Sequence, residues 1–156
     1  MRKWLPIVLL CAWPLLAQKY SGPRPAKPDL PYLMHADNLI PTESVDAKQE
    51  DRKGDVTYVI PGASSAVRTP LASPAFLITT DQIQADRMQL FKLQSKGGQR
   101  EVLYTRRKKR VARPIRLNVT RLGENLYKIE VDEILENGEY SLSPSDSNQV
   151  FCFQIY

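Results

Sequence analysis

The chain carries one histidine, His35, and two cysteines, Cys11 and Cys152. A Ser-His-Asp arrangement needs its imidazole held by an acid and aimed at a serine. No G-x-S-x-G occurs, and Ser64-Ser65 follows Gly62-Ala63 without a strand-to-helix elbow. His35 therefore reads as a surface histidine or a satisfied core one. One histidine and one cysteine beyond the N-terminal leader cannot assemble a zinc centre. The densest set of oxygen ligands is Asp46, Glu50, Asp51 and Asp55, with Lys48, Arg52 and Lys53 between them. Ion pairing on a solvated hairpin is expected there, rather than calcium. No pair of carboxylates stands out for glycoside hydrolysis. The sequence assigns no catalytic, metal or cofactor-binding residue.

The strongest local anomaly is the basic run Arg106, Arg107, Lys108, Lys109, Arg110, followed by Arg113. Five consecutive cations repel one another and must be solvated or paired. As a functional surface they would contact anions: lipid headgroups, a cell-wall polymer or an acidic partner face. As a structural device they would keep a sheet edge from pairing with other chains. Nucleic acid is a poor fit. Aromatic residues are not interleaved with the cations, and the net charge of +5 falls to +3 once Arg2 and Lys3 are set aside.

Those two cations open a leader. Arg2-Lys3 precedes an apolar run from Trp4 to Leu16, with Ala17 before Gln18. Residues 1–17 read as a secretory signal peptide, with an apolar region too short to span a bilayer. Pro6 and Pro14 oppose a continuous helix, and the bulky Leu9-Leu10 before Cys11 opposes a lipoprotein reading. The expected location is the periplasm or the cell exterior, with no transmembrane segment in the mature chain. Residues 18–31 hold Pro23, Pro25, Pro28 and Pro31 and read as an extended tether. Cys152 is then left without an intramolecular partner, as a buried free thiol or an intermolecular link. It alternates with Phe151 and Phe153, so it points to the opposite face.

The elements that position these residues read as strands. Tyr127, Ile129 and Val131 alternate with Lys128, Glu130 and Asp132, and Tyr140 and Leu142 continue after Asn137-Gly138. Phe151, Phe153 and Ile155 close the series. Upstream, Ala75–Thr79 is a continuous apolar strand suited to a sheet centre. Ser95–Gln99 and Asp51–Asp55 read as hairpin turns, although residues 42–53 also suit a short helix. The sum is an all-β, single-domain β-sandwich of about eight or nine short antiparallel strands over residues 32–156. The expected core is Phe76, Ile78, Leu90, Leu117, Val119, Ile129, Val131, Tyr140, Leu142, Phe151 and Phe153. Strands this short do not suit an outer-membrane barrel, which needs about nine to eleven residues each.

The stretch Leu135-Glu136-Asn137-Gly138-Glu139-Tyr140-Ser141-Leu142 resembles the corner before strand F of immunoglobulin-like sandwiches. The resemblance implies a tyrosine hydroxyl bonded to backbone upstream and an inward Leu142 in place of a disulfide cysteine. Pro61–Ile78 and Gly138–Phe153 also resemble segments of small exported bacterial proteins of unassigned function. The expectation is an exported, non-catalytic accessory, structural or binding module of the bacterial envelope. Its partners would be an envelope protein, further copies of itself or an anionic surface. The alternatives are an assembly subunit pairing by strand addition and a small hydrolase with a carboxylate site.

Overall fold

The computed structural model describes residues 19–104 and 112–156. The expected signal peptide and the cations Arg106–Arg110 lie outside the described residues. What is described is all-β: β1 (Tyr32–His35), β2 (Asn38–Pro41), β3 (Glu43–Asp46), β4 (Lys48–Arg52), β5 (Asp55–Pro61), β6 (Arg68–Thr69), β7 (Ala75–Thr79), β8 (Met88–Lys96), β9 (Gln99–Tyr104), β10 (Leu117–Arg121), β11 (Leu126–Val131), β12 (Gly138–Pro144) and β13 (Gln149–Ile155). One 3-10 turn, Ala85–Arg87, precedes β8. None of the described helical residues forms a span long and apolar enough to cross a membrane.

Two sheets pack face to face. The first has the order β10-β11-β7-β1-β2, which puts Ala75–Thr79 at its centre. The second runs β3-β13-β12-β8-β9-β5-β4, with β6 parallel to β13 at one side. Between them lies an apolar core to which both contribute, including Leu33, Phe76, Ile78 and Ile129 from one and Leu90, Tyr140, Leu142, Phe151 and Phe153 from the other. Phe153 sits at its middle, with ring centroids 5.0 Å from Phe76 and 5.7 Å from Tyr140. Leu117, Val119 and Ile115 pack on it half-buried. The Tyr140 hydroxyl donates to the Glu136 carbonyl at 2.8 Å, the bond expected of the corner before this strand.

The strands exceed the eight or nine read from the sequence. Alternation registers an extended run, but not the point where the run changes hydrogen-bonding partner. Residues 43–52 are one alternating run, yet β3 pairs with β13 and β4 pairs with β5. Residues 32–41 divide at Ala36-Asp37, and β6 is two residues long. The helical alternative for residues 42–53 does not form. The turn after β4 instead places Lys53 and Gly54 at φ +57° and +84°, the left-handed pair that suits a two-residue hairpin. Gly97 and Gly98, at +61° and +79°, do the same between β8 and β9. The break at Asn137-Gly138 is a crossover and not a hairpin: β11 belongs to the first sheet and β12 to the second.

The second sheet closes on itself. Its end strands, β3 and β4, are joined by Ala47 alone, a buried residue whose N–H donates to the Asn148 carbonyl at 2.8 Å. The other corner is in β8, where Met88–Leu93 pair with β12 and Gln94–Lys96 pair with β9. Strands that switch partners at two corners turn a flat sheet into a barrel. Its interior is a second apolar cluster that includes Ala47, Ile60, Leu93, Val150 and Cys152. The sandwich therefore has one open layer and one closed layer.

The end of the proline-rich segment is fastened to the first sheet. Asp29 takes φ +56°, and its N–H donates to the Thr79 carbonyl at 2.7 Å. Its carboxylate accepts the N–H groups of Asp81, Gln82 and Ile83 at 2.8, 2.9 and 3.0 Å. Burial opposes the charge, but these three donors outweigh it and hold the carboxyl below its ordinary range.

Candidate functional site

One end of the barrel is closed by a buried polar plug. Arg100 in β9 has no exposed side-chain surface. Its guanidinium reaches across the interior to Glu43 in β3, donating to both carboxylate oxygens at 2.8 and 2.9 Å. It also donates to the carbonyls of Pro61 and Gly62 at 2.8 and 3.0 Å. The planar fork of arginine matches such a bidentate demand. Glu139 in β12 lies 3.7 Å from the same guanidinium and accepts from Ser64 Oγ at 2.7 Å and the Ser65 N–H at 3.0 Å. The Arg100 hydrogen bond holds the Glu43 carboxyl below its usual range against the opposing effect of burial. Burial also works against the Arg100 cation, but Glu43 and Glu139 more than offset it, so its pKa is raised. Beneath the plug, burial pushes the Cys152 thiol up to about 12, with Arg100 opposing. The thiol is fully buried, consistent with the face opposite Phe151 and Phe153, and stays protonated and unreactive.

The other end is open. Along each wall the plug and the mouth lie two to four residues apart, with chain direction alternating as antiparallel pairing requires. Glu139 gives way to Ser141 and Ser143 on β12, Arg100 to Val102 on β9, Glu43 to Ala47 past β3 and Cys152 to Val150 on β13. The mouth holds a cavity of about 280 Å³. Its depth is walled by Ala47, Ile60, Phe91 and Val150, all buried, with the half-buried Tyr58 and Val102 beside them. Hydroxyl and amide groups stand among and above these: Ser141 deep and buried, Gln89 and Ser143 half-buried, Ser145, Ser147 and Asn148 exposed at the rim. Among the described residues, no Asp, Glu, Lys, Arg or His side chain lines it.

The residues singled out from the sequence lie elsewhere. Arg106, Arg107, Lys108, Lys109 and Arg110 fall outside the described residues. Arg113 is exposed and borders a shallow groove on the outside of the barrel beside Glu101 and Lys92. His35 is exposed at the end of β1, a strand of the first sheet and not of the barrel. The acidic hairpin is engaged as ion pairs and turn bonds. Glu50 binds Arg52 at 2.8 Å, Arg52 reaches Glu101 at 2.9 Å, and Asp51 accepts the Gly54 N–H at 3.1 Å. The carboxylates that do converge, Glu43 and Glu139, have both oxygens of each bonded within the plug.

Sequence reading missed Arg100, Glu43 and Glu139, and missed the cavity. The available signal was the far-face alternation. Glu139 and Ser141 share the parity of polar residues on a strand whose other face is core, which reads as solvent exposure unless the sheet is known to close. Comparison with protein families, with curated proteins and with solved structures finds no match for this chain.

Proposed function

We propose that the chain is an exported, non-catalytic binding module of the bacterial envelope, with a small ligand seated in the barrel mouth. The observation that carries this reading is the cavity, whose described lining is uncharged. It is concave, apolar at depth and polar at its rim, the arrangement of a small-molecule site at the mouth of a β-barrel. General acid–base chemistry by a carboxylate pair needs the two held free within reach of the bound molecule, and the two carboxylates that converge, Glu43 and Glu139, are tied to Arg100, Ser64 and Ser65. Export rests on the leader of Arg2-Lys3 and the apolar run that follows. The basic run Arg106–Arg110 with Arg113 supports a second contact, with an anionic surface, that would hold the module near membrane or wall. The Tyr140 corner supports a relationship to immunoglobulin-like sandwiches over Leu135–Leu142. Closure of the second sheet departs from their open pair of sheets.

The test is native mass spectrometry of the mature chain taken from its own envelope. The expected result is a retained small uncharged molecule, lost when Val102→Phe fills the cavity. Turnover of model glycosides, esters or peptides by the pure chain overturns the reading.

A further inference from the structure

The binding-module reading leaves the ligand open, and the cavity's lining narrows it. We infer that the barrel mouth takes a neutral amphiphile: a compact aromatic or branched aliphatic group inserted first, with a hydroxyl or amide left at the rim. This rests on the binding-module reading and names the class of molecule for that same site.

Size comes first. A cavity on the order of 150 Å³ lined by apolar side chains takes a single benzene ring. At about 280 Å³ this one has room for a ring with a short polar extension, or for an aliphatic group of similar bulk. Polarity is graded along the depth. Ile60, Ala47, Val150 and Phe91 are between 1% and 7% exposed, while Ser145, Ser147 and Asn148 at the turn between β12 and β13 are exposed. A molecule polar on all sides, such as a free sugar, would strand hydroxyls against Ile60 and Val150, and each buried polar group without a partner is costly. A fully apolar molecule would leave the serine and asparagine rim without a partner on the ligand.

Charge is excluded for the same physical reason. The described lining of the cavity offers no carboxylate, ammonium, guanidinium or imidazole to a charged ligand. Arg100 and Glu43 saturate each other at the closed end, and Asp146, on the rim turn between Ser145 and Ser147, is exposed to water 3.6 Å from Arg87. An ammonium or carboxylate inserted among Ile60, Phe91 and Val150 would lose water and gain no counter-charge from the described residues that line that depth. Ser141, only 1% exposed, is the deep polar exception, placed between Phe91 and Cys152 in the pairing register. It offers one hydroxyl to a ligand atom beyond the ring.

The test uses amide chemical shifts of the mature chain titrated with 2-phenylethanol, with benzoate and benzylammonium as charged counterparts, and with glucose. Saturable shifts centred on Ser141, Val102 and Val150 are expected with 2-phenylethanol. Roughly tenfold weaker responses or less are expected from both charged probes, and none from glucose. Val102→Phe should abolish the response while leaving shifts at Phe76 and Phe153 in place. Ser143→Phe at the rim gives the same readout should the first variant fail to fold. Equal binding of a charged probe, or preference for glucose, overturns the ligand class and leaves the binding-module reading standing. Cavity amides unmoved by every probe overturn the class as well, and the retained-ligand measurement then decides the module reading alone.

Discussion

The two cores of this protein are built on opposite principles. The one between the sheets is closely filled: Phe76, Phe151, Phe153, Leu90, Ile129 and Leu142 are without exposed surface, and one hydroxyl, on Tyr140, is satisfied by backbone. The one inside the barrel holds a buried cation, two carboxylates, a thiol and a cavity. Apolar packing is tolerant of which hydrophobic residue sits where and supplies most of the stability. A buried charge network is no net bonus against an apolar core of the same shape, but it is severe on any alternative that separates its members. The first core thus keeps the molecule folded. The second fixes one geometry of closure, with Arg100 tying β9 to a strand four places away in the sheet order, and so leaves a defined space at the other end.

Paired truncations break this comparison most sharply. Phe153→Ala should cost about 3–5 kcal/mol through the cavity it leaves. Arg100→Ala should cost about 3–5 kcal/mol, because Glu139 stays buried and Glu43 half-buried without the guanidinium between them. Denaturant unfolding at neutral pH measures both, and acid then separates them. Glu43 in the folded chain sits below its ordinary value of 4.5 because Arg100 bonds its charged form. The stability it contributes is full above that value and is lost as pH falls through the lowered one. Repeating the unfolding series from pH 7 downward should therefore show the Arg100→Ala deficit narrowing, while the Phe153→Ala deficit keeps its size. A deficit for Arg100→Ala that does not change with pH would show the plug to be packing alone. Smallest is Tyr140→Phe, which removes one hydrogen bond to Glu136 and should cost about 0.5–1.5 kcal/mol in the same unfolding assay, with no change in ligand response at the barrel mouth.

The filled core was legible in the sequence, and the barrel was not. Phe151, Phe153 and Ile155, or Ile129 and Val131, declare their face by a period of two, and each expected core residue packs at the interface of the sheets. The same alternation placed Cys152 on the other face, where it is buried. Closure is a different kind of information. It depends on β3 and β4 choosing different partners on either side of Ala47, β4 its hairpin neighbour β5 but β3 the distant β13, and on β9 coming near β3; both contacts of β3 join residues more than fifty positions apart. Nothing in Arg100 itself, in the polar-looking run Gln99-Arg100-Glu101, marks it as the side chain that will lose all its water. Counting strands failed for the same reason, since a continuous alternating run is one object in sequence and two in a hydrogen-bonded sheet.

The place of β13 sets a timetable for folding. Residues 149–155 lie between β3 and β12 in the closed sheet, with β6 also paired to that one segment. A chain emerging N-terminus first, from a ribosome or through a narrow pore, carries β3 and β6 past the exit long before the strand they require. Until then the barrel has no seam to close along, and the apolar face that Phe151 and Phe153 complete has no second layer. Folding must wait for nearly the whole described chain to be present and must then join strands distant in sequence, the regime in which β proteins fold slowly. A polypeptide that has to cross a membrane unfolded gains time from such a delay.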